Sequence, residues 1–237
     1  MAIAFFDLDK TLLAVNSGSL WIRRELALGH ITRMQAMRAT LWLARYHMGR
    51  VSMQDALLQG MAHLRGREEQ PIRERTVRFY EEWVRSRYRP GALRALEEHR
   101  SAGDRLVLLT SSSGYMSELV ARDLGLDAIL CNRLEVDAAG CYTGRPLGEV
   151  CFGEGKRSYA QAHAAEAGVP LSACAFYTDS YSDLSVMEVV GRPVAVHPDR
   201  RLRREALRRG WPVVDWGTPE MAGAVALELP SQSLHHS

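Results

Sequence analysis

The chain has 237 residues, enough for one α/β core carrying an inserted subdomain. A net charge of +2, with 24% charged residues, excludes bulk attraction for nucleic acid. Its four cysteines lack C-x-x-C spacing and read as reduced thiols, no apolar stretch nears the ~20 residues that span a bilayer, and no secretory signal opens the chain, so a cytoplasmic protein is expected.

In chain order, the first element is the apolar run Ala2-Ile3-Ala4-Phe5-Phe6. Unbroken hydrophobicity with aromatics predicts a strand buried on both faces, as in a parallel sheet covered by helices. It delivers Asp7-Leu8-Asp9-Lys10-Thr11 to its carboxyl end, where open α/β sheets bind ligands. Asp7 and Asp9 would repel each other unless a cation or a proton compensates. One acid placed to attack and one to move protons suits phosphoryl transfer through an aspartyl-phosphate. Taken alone, the same residues also fit an ordinary loop with solvated carboxylates.

From about residue 17 to 89 the periodicity is helical, over 20–28, 32–48, 52–64 and 71–88, with no convincing strand. Thr32 and Ser52 fit N-caps, Pro71 a first-turn position, and Gly29 and Gly49 stops. Between Ser17 and Pro90 there are fourteen arginines against seven acids, and such a positive surface would concentrate anionic phosphomonoesters. Residues 34–48, with Leu41, Trp42, Leu43 and Tyr46, fit either the insertion's own apolar core or a weak contact with a membrane surface or lipid tail.

Alternation of strand and helix resumes at Pro90. The apolar run from Arg105 ends in Thr110-Ser111-Ser112-Ser113-Gly114, ahead of a helix over 115–124. A hydroxyl and a free amide at a helix entrance suit a phosphate oxygen, although a serine-rich N-cap looks the same. Residues 134–142, with Asp137-Ala138-Ala139-Gly140 at the turn, read as a hairpin. In Phe152-Gly153-Glu154-Gly155-Lys156-Arg157 a lysine follows two glycines, where a compact cation can reach both a phosphate and a carboxylate. Lys10 and Lys156 are the chain's only lysines, which weakens the alternative of a solvated surface residue.

A further apolar strand over 173–178 delivers Asp179 and Asp183 with small residues between them. These acids fit either an Asx-type turn before a helix over 184–190 or ligation of Mg²⁺, which takes one or two carboxylates plus water and phosphate. Asp7, the main-chain carbonyl of Asp9 and Asp179 would form the protein side of that shell. Strands near 193–196 and 212–215, separated by a basic helix over 201–209, close the core.

With these segments in this order, the chain resembles the phosphatases of the haloacid dehalogenase superfamily, in the phosphoserine-phosphatase-like subgroup (subfamily IB). Asp7 and Asp9 match the first motif, Thr110 the second, Lys156 the third, and Asp179 with Asp183 the fourth; the match covers roughly residues 2–216. The resemblance implies an α/β fold, with a doubly wound, Rossmann-like parallel sheet (1–16 and 90–228) and an inserted all-helical cap (17–89); residues 229–237 read from the sequence as a flexible tail. It implies Asp7 as nucleophile, Asp9 as general acid/base, and Thr110, Ser111 and Lys156 on the phosphate. Mg²⁺ would sit among Asp7, Asp9, Asp179 and Asp183, the last holding a metal-bound water or orienting Lys156.

The expected function is Mg²⁺-dependent hydrolysis of a small-molecule phosphomonoester, small or lipid-like, with no nucleic-acid partner. The alternatives are an amino-acid-type phosphatase, using phosphoserine or histidinol phosphate, and a non-catalytic phospholigand-binding protein. Three positions depart from the subgroup's pattern. Asn16 stands where phosphoserine phosphatases carry a cap glutamate, Gly60 where they carry an arginine, and Ser182 where an asparagine often precedes the last aspartate. Loss of both recognition charges argues against phosphoserine.

Overall fold

The computed structural model describes residues 2–32, 34, 37 and 53–219. β1 (Ile3–Phe6) is wholly buried, as its unbroken apolar run requires. It pairs in parallel with β2 (Arg105–Ser113) on one side and β6 (Ala175–Thr178) on the other, with Ile3 opposite Arg105 and Ala4 opposite Ala175. β3 (Ala128–Asn132) extends one edge, and β7 (Arg192–Val196) with β8 (Val213–Val214) the other. The order is β3-β2-β1-β6-β7-β8, with every pairing parallel.

Parallel strands need crossover helices, and these bury both faces of the sheet. α4 (Pro90–Ser101) and α5 (Gly114–Leu124) pack on the face of Ala4, Phe6, Leu106 and Leu108. α6 (Glu154–Glu166), α7 (Leu184–Met187) and α8 (Arg200–Arg209) cover the face of Ile3, Phe5, Val107 and Phe176. This is the doubly wound α/β class expected from the sequence.

Between β1 and α4 the described residues hold helices α1 (Ser17–Ala27), α2 (Met53–Ala62) and α3 (Glu69–Phe79), and no strand beyond isolated bridges. Most of the helix expected over 32–48 lies outside the described residues, as do Gly49, Ser52 and the tail 229–237. α1 starts three residues earlier than its apolar periodicity indicates, because Asn16 caps it by accepting from Ser19 N at 2.8 Å. The helix expected over 71–88 stops at Phe79 and continues as a π-helical turn, Tyr80–Val84, and a short 3₁₀ turn, Arg85–Arg87. There the buried Tyr80 donates to Asp123 Oδ2 at 2.7 Å and its hydroxyl meets that of Tyr88 at 2.7 Å. Those tertiary bonds override the helical repeat.

The expected hairpin forms from β4 (Leu134–Val136) and β5 (Tyr142–Pro146), with Asp137 Oδ1 accepting from Ala139 N and Cys141 N, both at 2.9 Å. Main-chain bonds tie it to the insertion: Gly66 N to Tyr142 O at 2.8 Å, Tyr142 N to Arg67 O at 2.9 Å, and Glu69 N to Gly140 O at 2.9 Å. Among the described residues no helix is long and apolar enough to cross a membrane.

Candidate active site

The chain leaves β1 through Asp7, whose N–H donates to Tyr177 O of β6 at 3.0 Å. A wide turn over Leu8–Leu12 follows, in which Asp9 is extended and Lys10 takes φ 58°. A lysine in the left-handed region is strained by roughly 1–2 kcal/mol. The turn is held by Arg89, whose Nε donates to Lys10 O at 3.1 Å, and by Lys10 N donating to Val15 O at 3.0 Å. Its effect is to fold Asp9 back toward α1. There Asp9 Oδ1 accepts from Ser17 N at 2.7 Å and Oδ2 from Asn16 Nδ2 at 3.4 Å.

Lys156 lies in the first turn of α6. The entrance bends sharply: Gly153 has φ 55°, and a Cβ on Gly155 would stand 2.0 Å from Val150 O. Glycines are therefore required for that close approach. The turn aims the buried Lys156 across the end of the sheet, where Nζ donates to Asp7 Oδ1 at 2.7 Å and Asp183 Oδ2 at 2.8 Å. Burial disfavours its ammonium, but Asp183 and Asp7 outweigh that and raise its pKa, so it stays charged. Asp183 Oδ2 also accepts from Thr178 Oγ1 at 2.6 Å, whereas its Oδ1 is buried with no partner among the described residues. Asp183 makes no capping bond to α7, so the Asx-cap alternative is not what this acid does.

Thr110 and Ser111 lie at the same end of the sheet, since Phe6 is in register with Leu108 on the neighbouring strand. Thr110 Oγ1 accepts from Ser112 N at 3.1 Å. Asn132, at the end of β3, donates from Nδ2 to Ser111 O at 2.7 Å and accepts from Cys151 N at 2.8 Å. It braces the loop of Ser111 against the one that leads to Lys156. A lone asparagine closing a strand carries no signal that sequence reasoning could have used. Asn16 is occupied with Asp9 and the α1 cap, and Gly60 on α2 is exposed with nothing within 4 Å of a Cβ built there.

Burial dominates the electrostatics. It lifts Asp7 to about 7, opposed by Lys156 and reinforced by Asp183 and Asp9. It lifts Asp179 to about 8, with Asp7 adding repulsion and Lys10 opposing. Asp9 is raised as well, by burial against the Ser17 hydrogen bonds. One internal lysine thus faces more buried negative charge than it can balance, and a hard divalent cation fits that deficit. Asp7, Asp179 and the Asp9 carbonyl would hold it. Among the described residues no three His, Cys, Asp or Glu side chains form a ready cage, and a shell completed by waters and a substrate phosphate does not need one.

A family model described as haloacid dehalogenase-like hydrolase matches residues 4–188. The chain is 33% identical over 220 residues to the "Inhibition of morphological differentiation protein" of Streptomyces azureus, covering 91% of this chain and 79% of that protein. It is 29% identical to a phosphoserine phosphatase of Mycobacterium tuberculosis (95% and 74% covered) and 28% identical to a histidinol-phosphatase of Neisseria meningitidis (90% and 98%). A solved structure of a protein with unknown function from Bordetella pertussis superposes with a TM-score of 0.82 at 28% identity, over 91% of this chain and 99% of that one.

Proposed function

We propose that this chain, which belongs to the haloacid dehalogenase-like hydrolases and is a phosphatase of that family, hydrolyses small organic phosphomonoesters through an aspartyl-phosphate on Asp7. The observation that carries this reading is Lys156 Nζ set between Asp7 Oδ1 and Asp183 Oδ2 at 2.7 and 2.8 Å, with Asp9 two residues beyond Asp7. A carboxylate for attack, a fixed cation for the phosphoryl oxygens and a second acid for protons are the parts such a reaction needs. The residues of 17–89 would act as the cap over this site.

In the first half-reaction, an Asp7 oxygen forms a bond to phosphorus as the bond to the alcohol oxygen breaks, and Asp9 gives that oxygen its proton. Burial raises the Asp9 pKa, which favours a carboxyl that carries a proton at the start of turnover. Ser17 N and Asn16 Nδ2 fix the direction in which it can deliver. In the second half, Asp9 takes a proton from water as that water attacks phosphorus; the bond to Asp7 breaks and inorganic phosphate leaves. Lys156, Thr110 and the Ser111 amide would hold the phosphoryl oxygens in both halves. Phosphatases of this family generally use Mg²⁺, and the ion, when bound among Asp7, Asp179 and the Asp9 carbonyl, supplies further neutralisation of the phosphoryl charge.

The names of the Mycobacterium and Neisseria relatives support an amino-acid-type phosphate as the second reading. A lipid-like substrate rested on residues 34–48, most of which lie outside those described, and has no further support. The test of the main reading is acid quenching after brief exposure to a ³²P-labelled phosphomonoester with Mg²⁺. Labelled protein that releases its phosphate to hydroxylamine is expected from wild type and absent from Asp7→Asn. Turnover without any labelled species on rapid quenching would count against an aspartyl-phosphate.

A further inference from the structure

The carboxyl end of the sheet carries more positive charge than the chemistry at Asp7 uses. A cleft of about 360 Å³ opens beside Asp9, between α1 and the loops that follow β1 and β7. One wall is a single helical stripe, with Asn16 at the cap and Ser19 and Arg23 following at helical spacing. The other wall is Lys10, Arg89 and His197. No acidic side chain lines the cleft, and among the described residues no carboxylate lies within 4 Å of Lys10, Arg23 or Arg89.

Arg89 makes this a built site rather than a patch of surface charge. It is 5% exposed, and its donors go to neutral acceptors: Lys10 O at 3.1 Å, Gly217 O at 2.6 Å and His197 Nε2 at 3.1 Å. His197 Nε2 also accepts from Trp216 N at 2.9 Å. Burial, with Arg89 adding repulsion against the pull of Asp215, lowers the His197 pKa and disfavours its cationic form. The exposed Asp215 approaches His197 Nε2 at 3.0 Å, and with Asp179 it offsets part of the Arg89 charge; Asp179 and Asp9 also act on Lys10 from beyond ion-pair distance. A buried guanidinium bonded to neutral acceptors, beside two cations that have no carboxylate within 4 Å among the described residues, suits an incoming anion.

Position says which anion. Asn16 lines the cleft and also donates to Asp9 Oδ2, the carboxyl assigned to protonating the departing oxygen. A group leaving phosphorus on the Asp9 side would face this cleft across Asn16. We propose that the cleft receives the leaving group and selects one that carries an anion of its own, a carboxylate or a second phosphate, with Lys10 and Arg23 as its specificity-determining cations. The inference rests on the hydrolase reading above and narrows its substrates to phosphorylated acids or bisphosphates. A cationic leaving group, such as that of histidinol phosphate, is disfavoured by the same charges.

Three two-carbon phosphomonoesters isolate the effect: phosphoglycolate, ethyl phosphate and phosphoethanolamine, whose leaving groups are anionic, neutral and cationic. With Mg²⁺ at low ionic strength, kcat/KM should fall in that order, by ~10-fold or more at the first step, and the gap should narrow with salt. Lys10→Gly and Arg23→Gln should each cut the ratio of phosphoglycolate to ethyl phosphate by roughly 3- to 10-fold. Lys10→Gly suits the positive φ, so it removes the ammonium without threatening the fold. Free glycolate should compete with phosphoglycolate.

A wild-type ratio near one, alongside turnover of p-nitrophenyl phosphate, would overturn the anionic selection and leave the hydrolase standing. So would a wild-type ratio kept intact in both variants, or non-competitive inhibition by glycolate, which would place the anion elsewhere. Failure to hydrolyse even the aryl phosphate would overturn the hydrolase reading, and this inference with it.

Discussion

Thr178 donates its hydroxyl to Asp183 Oδ2 at 2.6 Å, the same oxygen that Lys156 reaches at 2.8 Å. The hydroxyl stops this carboxylate from turning, and so sets where the ammonium stands relative to Asp7. Thr178→Val keeps the shape and removes the donor. Loss of a buried bond to a charged acceptor should cost ~1.5–3 kcal/mol, seen as a lower midpoint in urea. If Thr178 positions Lys156, kcat should also fall several-fold while KM barely moves. Loss of stability with kcat unchanged would make its role purely structural.

Asp7→Asn preserves side-chain shape and removes the attacking charge. A fall in kcat/KM of three orders of magnitude or more is expected, about 4 kcal/mol of lost transition-state stabilisation. The folded state should not suffer, because burial already disfavours this carboxylate and a neutral amide avoids the repulsion from Asp183 and Asp9. Activity above about a tenth of wild type, a loss under ~1.4 kcal/mol, would remove Asp7 from the nucleophile's role.

Metal removal should make stability depend on pH. Asp7 at about 7 and Asp179 at about 8 sit above the ordinary carboxyl value of 3.8. Across that interval the folded protein holds more protons than the unfolded chain. Their contribution is therefore fully present below the unfolded value and is lost as pH rises through the folded ones. Chelator-treated protein should melt at a lower temperature near about pH 8 than near about pH 5, and added Mg²⁺ should recover more at the alkaline end, where it displaces fewer protons. Scanning calorimetry with and without the ion decides this; equal gains at both pH values would contradict it.

Gly155→Ala tests the bend before Lys156. The new Cβ would meet Val150 O at 2.0 Å, and neither backbone can yield cheaply. A loss of ~2–4 kcal/mol is expected, with activity falling further than stability alone explains, because the start of α6 and Lys156 must move. Chemical denaturation paired with kinetics below the melting range separates the two effects.

Asp7, Asp9, Lys156, Asp179 and Asp183 could be placed together from sequence because each follows an apolar strand or a glycine-marked turn and, for lysine, because the chain has only two. Arg89, Asn132 and Thr178 had no such mark. Arg89 is one arginine in a stretch holding fourteen, Asn132 closes a strand like any polar residue, and Thr178 reads as part of β6. Their importance comes from partners distant in the chain, such as Gly217 for Arg89 and Cys151 for Asn132. Asn16 was marked only by the resemblance, as the position where phosphoserine phosphatases carry a cap glutamate. Its capping of α1 was not legible, because Ser17, Gly18 and Ser19 hide the start of the apolar period. The wide turns after Asp7 and Phe79 depart from helical repeat under tertiary bonds, which local propensity does not contain.

The central place of β1 also bears on how the protein forms during synthesis. Ile3 waits for Arg105 and Ala4 for Ala175, so the most apolar strand emerges from the ribosome long before either neighbour exists. Pairings this far apart in sequence make folding slow and leave Ile3–Phe6 exposed to wrong partners in the interval. Nascent chains cut short before β6 would present an unsatisfied apolar edge, and are where chaperone engagement and aggregation should concentrate.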